Sequence, residues 1–408
     1  SGIFVIVEGI FVGNATGDGG LAALNLAYPL YTVFSATGLG LGSGGAVLMS
    51  MNIGANNKNE AEKILGCTLF IMVAASIILM IICGIFCTPI LKFFGASPSL
   101  FDIAYDYGFT MVCGGIFILF GTGIVPLIRN DGSPRKCMTI TVTGLISNIF
   151  LDWFFIMQLK WGLFGAAFAT VTGQFFVACI GLSHFFLKKS NIELKKIYFK
   201  PAIERIKKII IIGTSPFGIS LAVGIMTIMF NWSSLEFGGD MGVAAFSTIS
   251  YAIAPVRLIL EGIGDGLQPL SSFYHGGGMA ESEKRTVRVA YLFAFIMGIF
   301  GASVLFFSSN YIPAIFGASK ELTDMIANGV RIIAVCFAFM PFSKISASYF
   351  YSIGKAGMAA ILIYGDTFVL MPLGLLVFPK FFGLDGVWMT YANTYIVLGI
   401  VGLLLYVK

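Results

Sequence analysis

Five acidic side chains stand inside long apolar runs: Glu8, Asp152, Glu261, Asp265 and Asp366. A charged group at the centre of a bilayer costs about 2.5–3.5 kcal/mol on the insertion scale unless it is neutralised, paired or wet. Asn148 precedes Asp152 by one helical turn, so the two share a helix face. Two carboxylates brought together would repel, and one proton taken up between them relieves the repulsion. Carboxylate, amide and hydroxyl oxygens also suit a hard cation such as sodium. Either chemistry is ion coupling. The structural alternative uses the same residue types: an ion pair or a hydrogen-bonded acid that fixes helix packing. Arg257, Glu261 and Asp265 are spaced four apart on one face, and Arg257 and Glu261 can pair locally. A substrate or charge site and an internal structural pair are equally consistent with that spacing. Asp366 has no local partner and could meet Lys344 or this cluster.

The elements that hold these residues must lie in lipid. The 408-residue chain is 57% hydrophobic and only 11% charged, where a soluble domain carries about 25% charged residues. Too few charges remain to build a water-facing surface. That excludes an ordinary soluble enzyme, a disordered chain and a nucleic-acid binder. Long apolar segments alternate with short polar breaks, placing helices near 1–13 (partial), 21–53, 61–91, 99–128, 135–157 and 161–187. A second set falls near 208–236, 242–274, 285–316, 321–352, 356–379 and 384–407. Spans of this length are not barrel strands, which run about 10 residues and alternate in polarity. The opening run, 3–13, is too short to cross and has no basic flank, so it reads as part of a first helix rather than a signal peptide. Glu8 then falls near the outer end of that helix and Asp152 in the outer half of the fifth.

The basic residues set the orientation. Of the 25 Lys and Arg, eighteen fall in loops on one side, four (Lys92, Lys160, Lys320 and Lys380) on the other, and Arg257, Arg331 and Lys344 within helices. The bias predicts both termini on the cytoplasmic side and an even number of crossings. The one long polar stretch, 188–207, divides an N-terminal lobe (1–187) from a C-terminal lobe (208–408), and its charges are expected at anionic headgroups. Seven scattered cysteines, none in a CxxC pair, read as small apolar fillers. No HExxH, GxSxG or P-loop pattern appears. Gly40, Gly42 and Gly45 spell GxGxxG, but no strand precedes them. Close helix packing through small residues is the better reading.

The two halves match at an offset of 222 residues. Phe94-Gly95-Ala96-Ser97 recurs as Phe316-Gly317-Ala318-Ser319, and Gly40, Gly42 and Gly44 recur as Gly262, Gly264 and Gly266. Ala22-Ala23 recurs as Ala244-Ala245, Gly54 as Gly276 and Gly132 as Gly354. Near the end the offset slips by one: Gly162-Leu163 and Gly165 match Gly383-Leu384 and Gly386. The expected fold is therefore an all-α integral membrane protein with twelve transmembrane helices in two parallel six-helix repeats. That arrangement suits alternating access.

At this point the residues resemble those of the multidrug and toxic compound extrusion (MATE) transporters. Val7-Glu8-Gly9-Ile10-Phe11-Val12-Gly13 is similar to the family's VDxxFVG with Glu for Asp. Leu21-Ala22-Ala23-Leu24 and Arg129-Asn130-Asp131-Gly132-Ser133-Pro134 continue the likeness. Asn148-Ile149-Phe150-Leu151-Asp152 resembles NxxLD, Gly165-Ala166-Ala167-Phe168-Ala169-Thr170 resembles GAAxAT, and Gln268-Pro269 resembles the QP of the eighth helix. The resemblance implies a V-shaped pair of six-helix lobes and export of amphipathic organic cations against proton or sodium entry. It implies a cation-coupling site at Glu8, Asn148, Asp152 and Thr170, with sodium or a proton as the ion and no other cofactor. The chain departs from the family pattern at Gly365-Asp366, where an Arg-Gln pair is usual, and at Glu261 and Asp265. It also lacks the seventh-helix Glu of the other branch, having only apolar or small residues from Ile219 to Gly224.

The expected protein is then a monomeric, multi-pass exporter of the cell (inner) membrane, a transporter rather than an enzyme. Its partners are amphipathic cationic small molecules, the coupling ion and the bilayer, with no nucleic acid. Two alternatives remain open from sequence: a flippase for a lipid-linked precursor on the same fold, and a non-transporting membrane receptor.

Overall fold

The computed structural model describes residues 2–94, 98–186, 190–192, 202–316, 318 and 320–407, with side chains from residue 8 onward except 9, 10, 14, 17–19, 21, 22, 99 and 320. The lobe-joining stretch at 193–201 and parts of both Phe-Gly-Ala-Ser motifs (95–97, 317 and 319) lie outside the described residues. The elements are α1 (Gly2–Gly54), α2 (Lys58–Ile85), α3 (Cys87–Phe93), α4 (Pro98–Cys113), α5 (Gly115–Asn130), α6 (Pro134–Asp152) and α7 (Gly162–Phe186). They continue with α8 (Ile203–Gly276), α9 (Ala280–Ser308), α10 (Ile312–Ile315), α11 (Lys320–Ala334), α12 (Met340–Ser352), α13 (Ala356–Gly365), α14 (Met371–Phe382) and α15 (Leu384–Val407). No strand occurs among the described residues.

Two of these helices are too long for one crossing. A straight helix the length of α8 would run about 110 Å, against a hydrocarbon core of about 30 Å. The chain reverses at Gly239, whose φ of 60° and ψ of −157° are not helical. Phe230 and Phe246 stack with ring centroids 5.3 Å apart, although a straight helix would hold them about 24 Å apart. A side chain on Gly242 would overlap the Ser234 carbonyl, so a small residue is required where the two arms meet. The positions 222 earlier repeat this device within α1. A side chain on Gly20 would overlap Thr16 and touch Val12. Glu8 lies within electrostatic reach of Tyr28 and Tyr31, although a straight helix would place Glu8 and Tyr28 about 30 Å apart. The chain therefore turns back between Gly13 and Ala23, and the expected pair 1–13 and 21–53 is one hairpin of helix.

Among the described residues, eight helices are long and apolar enough to cross a membrane, and ten when α4–α5 (bent by 57°) and α11–α12 (bent by 48°) each count as one broken span. Dividing α8 at Gly239 adds one pass, and the arm of α1 before its turn adds a short one, which makes the twelve expected. The repeat is visible in the backbone. Positive φ occurs at Asn56 (58°) and Gly278 (68°), at Gly132 (81°) and Gly354 (76°), and at Gly162 and Gly383 (both 56°). These are the same pairs of positions that the sequence offset aligns.

The chain divides into two compact units, 1–220 and 221–408. The division falls inside α8, beyond the polar stretch, because the start of α8 packs on α1. A side chain on Gly44 would overlap the Ile209 carbonyl, and one on Gly40 would meet Gly213 and Phe217. Gly42 lies against the backbone of Gly123 on α5 and Gly45 against Thr68 on α2. The GxGxxG run is thus a packing seam. Unit 1 has an apolar core around Ala27, Phe34, Met111 and Ile118, with a second cluster around Met49, Leu65, Leu119 and Leu127. Unit 2 is centred on Phe230, Phe337, Trp388 and Tyr391.

The Lys/Arg-rich end of unit 1 is tied down on both sides of the polar stretch. Asp131 is buried, and its carboxylate accepts hydrogen bonds from Ser190 Oγ (2.7 Å) and the Asn191 backbone N–H (3.1 Å). His184 Nε2 lies 2.8 Å from the same carboxylate, and His184 Nδ1 lies 3.3 Å from Lys136 Nζ. An ammonium only donates, so Nδ1 accepts and Nε2 carries the proton given to Asp131. At the other side, Arg205 donates to both oxygens of Glu60, at 2.6 and 3.0 Å. Arg205, expected at headgroups, is instead paired within the protein. All seven cysteines are free, five of them buried.

Candidate functional site

The four residues of the expected coupling site converge in unit 1. Glu8 is 1% exposed, Asp152 0%, Asn148 5% and Thr170 2%. Asn148 and Asp152 come from the last two turns of α6, one turn apart as their spacing requires. Gly173 lets α7 close on that face: a side chain there would begin 3.3 Å from Asn148 Cβ. The approach sets Thr170 beside Asn148, whose Nδ2 lies 3.5 Å from Thr170 Oγ1. Thr170 Oγ1 in turn lies 3.5 Å from Glu8 Oε1. Both contacts are at the outer limit of hydrogen bonding, so the chain of groups is assembled but loose. Asp152 stands within electrostatic reach of Glu8.

Among the described residues, three buried oxygens of this site have no hydrogen-bond partner: Asp152 Oδ1, Asp152 Oδ2 and Asn148 Oδ1. Buried polar atoms are nearly always satisfied, and an orphaned one costs about 1–3 kcal/mol. A proton on the carboxyl, or a cation held by these oxygens, would relieve them. The donor set is all oxygen, which fits sodium as well as a proton. Asp152 ends α6, and a π-helical segment, Trp153–Gln158, begins at the next residue. Such interruptions free backbone groups and let a helix adjust locally.

One further member was not legible in the sequence. Tyr107 on α4 is buried and donates its hydroxyl to Glu8 Oε1 at 3.2 Å. It sits in an aromatic-rich stretch, Tyr105-Asp106-Tyr107-Gly108-Phe109, with no spacing that marks it from a packing residue. Tyr28 and Tyr31 complete an aromatic wall within electrostatic reach of Glu8.

Unit 2 does not repeat this site. At the offsets that align the repeats, Glu8 corresponds to Phe230, Thr170 to Tyr391, Tyr107 to Gly329 and Ala167 to Trp388. Phe230 and Tyr391 meet edge to face with centroids 5.9 Å apart. A side chain on Gly329 would begin 3.1 Å from Trp388 Nε1, so the indole sits close against the glycine. Aromatic packing takes the place of the carboxylate.

The unit 2 charges gather elsewhere. Asp366, which opens a second π-helical segment (Asp366–Leu370), is buried and accepts from Thr367 Oγ1 at 3.0 Å. It feels Lys344, Arg257 and the Tyr395 hydroxyl electrostatically, and Lys344 Nζ lies 5.3 Å from the centre of the Tyr395 ring. Asp366 therefore meets both partners open to it in sequence. Arg257 and Glu261 interact electrostatically but make no direct ion pair among the described residues, and Tyr391, Tyr395 and Asp366 also act on the guanidinium electrostatically. Asp265, on the same helix, is exposed.

Two six-pass repeats, with buried carboxylates at helix interruptions, define the class: a multi-pass α-helical membrane protein with the internal repeats found in many transporters. The MatE family profile matches residues 3–154 and 216–376, and the chain belongs to the MatE family. It is 20% identical over 388 residues to the multidrug export protein MepA of Staphylococcus saprophyticus, covering 94% of this chain and 85% of that protein. It is also 20% identical over 346 residues to a protein of Shewanella oneidensis named FAD transporter, covering 82% and 74%. Among solved structures, a crystal structure of MATE in complex with MaL6 superposes with a TM-score of 0.93 at 23% identity, covering 99% of this chain and 91% of that one. That likeness establishes the fold.

Proposed function

We propose that this MatE protein is a multidrug exporter that expels amphipathic organic cations by alternating access, in antiport with protons or sodium. The observation that carries the reading is the Glu8–Thr170–Asn148 chain with three partnerless oxygens beside it on Asp152 and Asn148. The name of the MepA relative supports the multidrug cargo. Ion entry at Glu8 and Asp152 neutralises the pair. Tyr107 and Thr170, which donate to Glu8, then lose an acceptor charge, and the short first arm of α1 is free to repack. The ion biases the transport equilibrium only through its different affinity for the two states. Cargo rebinding on the basic, cytoplasmic side completes the cycle.

The test is efflux from vesicles holding the purified protein and a fluorescent organic cation. Gradients of protons alone, at zero sodium, and of sodium alone, at fixed pH, are imposed in turn. Efflux driven by one gradient identifies the coupling ion, and no efflux under either refutes the proposal. A second reading, cargo bearing an acidic group, is favoured by Arg257 and Lys344 inside unit 2 and by the FAD transporter relative.

A further inference from the structure

A cavity opens at the Lys/Arg-rich end of unit 1 and shares no described lining residue with the coupling site or with the charges of unit 2. Its volume is about 560 Å³, within the range of about 300–1,000 Å³ common to small-molecule sites. Three helix ends meet around it: the last two turns of α1, the first two of α2 and the first two of α8. Helix ends on the basic side of a membrane protein stand at the depth of lipid headgroups. Leu48, Ile64, Ala202 and Ile203 make part of the wall apolar, and Asn52, Glu60, Glu204, Arg205 and Lys208 make the rest polar. A wall divided in this way suits a ligand that is divided likewise.

The polar groups fall into one closed pair and two open charges. Arg205 and Glu60 satisfy each other through hydrogen bonds of 2.6 and 3.0 Å and brace α8 against α2. Lys208 acts electrostatically on Glu60, and Glu204 on Arg205. Both are exposed, and neither makes an ion pair among the described residues. They lie one turn apart on α8, where an acid and a base four residues on can pair directly. Here they do not pair, and the cavity is lined by a separate carboxylate and a separate ammonium. Asn52 turns its amide nitrogen to the Leu48 carbonyl at 2.8 Å and adds its oxygen as an acceptor. The fold does not require this polar set. At the 222-residue offset Leu48 remains a leucine, Leu270, whereas Asn52, Glu60 and Ile64 correspond to Tyr274, Ser282 and Thr286.

We infer that this cavity binds one glycerophospholipid of the adjoining leaflet and prefers the primary-amine headgroup of a phosphatidylethanolamine. The lipid phosphate accepts from Lys208 and from the Arg205 N–H groups that Glu60 leaves free. The lipid ammonium donates to Glu204 and to the Asn52 oxygen. The two-carbon link between the lipid's charges suits side chains one helical turn apart, whose Cβ atoms are separated by about 5–6 Å. The glycerol and the first methylenes rest on Leu48, Ile64 and Ile203, the last of which is 71% exposed without them. Phosphatidylglycerol brings no cation for Glu204, and the quaternary ammonium of phosphatidylcholine has no N–H to donate. The site is independent of cargo and coupling ion, because binding is read with no gradient.

The test is native mass spectrometry of the purified protein in detergent. Phosphatidylethanolamine, phosphatidylglycerol and phosphatidylcholine with the same acyl chains are added in turn, and soluble glycerophosphoethanolamine is the fourth probe. One phosphatidylethanolamine per protein should be retained, with a Kd about tenfold below those of the other two lipids, as the loss of one charge-assisted hydrogen bond predicts. Lys208→Gln and Glu204→Gln should each erase most of that preference, and Lys208→Arg, which keeps a cation, should retain it. Lys207→Gln removes a neighbouring charge that does not line the cavity and should change nothing. Ile203→Ser should weaken all three lipids alike. Equal retention of the three lipids overturns the inference. So does tighter phosphatidylglycerol, which would mark a basic surface only, or a preference that survives both Lys208→Gln and Glu204→Gln. Soluble glycerophosphoethanolamine binding as tightly as the lipid would also overturn it, since the apolar wall would then hold nothing.

Discussion

Asp131→Ala removes the carboxylate that fastens the polar stretch to unit 1. The wild-type carboxylate takes Ser190 Oγ at 2.7 Å, His184 Nε2 at 2.8 Å and the Asn191 N–H at 3.1 Å. Three donors lose their acceptor at once. His184 is 4% exposed and so least open to water, whereas Ser190 and Asn191 lie nearer the surface. Each orphaned buried donor costs about 1–3 kcal/mol, with partial recovery where water enters. Breaking one side of a buried charged network costs about 3–5 kcal/mol, and the present count falls in that range. For a unit of this size the melting temperature should fall on the order of 10 °C. The assay is thermal unfolding in detergent with limited proteolysis, and cleavage should shift to the segment after His184. A melting change under about 2 °C with an unchanged cleavage pattern would show that the network does not hold this end of the unit.

Other substitutions probe the packing and the site. Gly42→Ala drives a methyl into the Gly123 backbone and should lower stability by about 1–3 kcal/mol. Gly262→Ala, at a position with nothing within 4 Å, should be neutral or gain up to about 1 kcal/mol, both read by thermal melting. Arg205→Ala breaks a bidentate pair whose side chains are each 29% exposed. A double-mutant cycle with Glu60→Ala should give a coupling of about 0.5–1 kcal/mol, falling with salt. Gly173→Val pushes Thr170 from Asn148 and should cut gradient-driven efflux at least tenfold, whereas Gly224→Val, in open space, should leave efflux unchanged.

The fold was legible because lipid imposes it. Crossings of about 20 apolar residues are read directly from composition, and the 222-residue offset announced a repeat that reappears in the positive-φ pairs. The hairpin inside α1 was legible as two separate helices, but its tight junction was not, since Gly20 shows its role only against Thr16 and Val12. Glu8, Asn148 and Asp152 stood out as polar groups in apolar helices, and Thr170 came from the family resemblance alone. Tyr107 was missed because a tyrosine among aromatics looks like packing, and its hydroxyl matters only through a partner 99 residues away. The relation of Arg257 to Tyr391 and Asp366 joins three helices, and no spacing along one helix encodes it.

The central claim is that coupling resides in unit 1 and not in the charges of unit 2. The direct measurement is gradient-driven efflux of a purely cationic fluorophore from vesicles containing wild type, Asp152→Asn or Asp366→Asn, at matched protein content. Asp152→Asn should abolish the dependence on the gradient while cargo still binds, and Asp366→Asn should retain it. Gradient-driven efflux that persists in Asp152→Asn and disappears in Asp366→Asn would contradict the account.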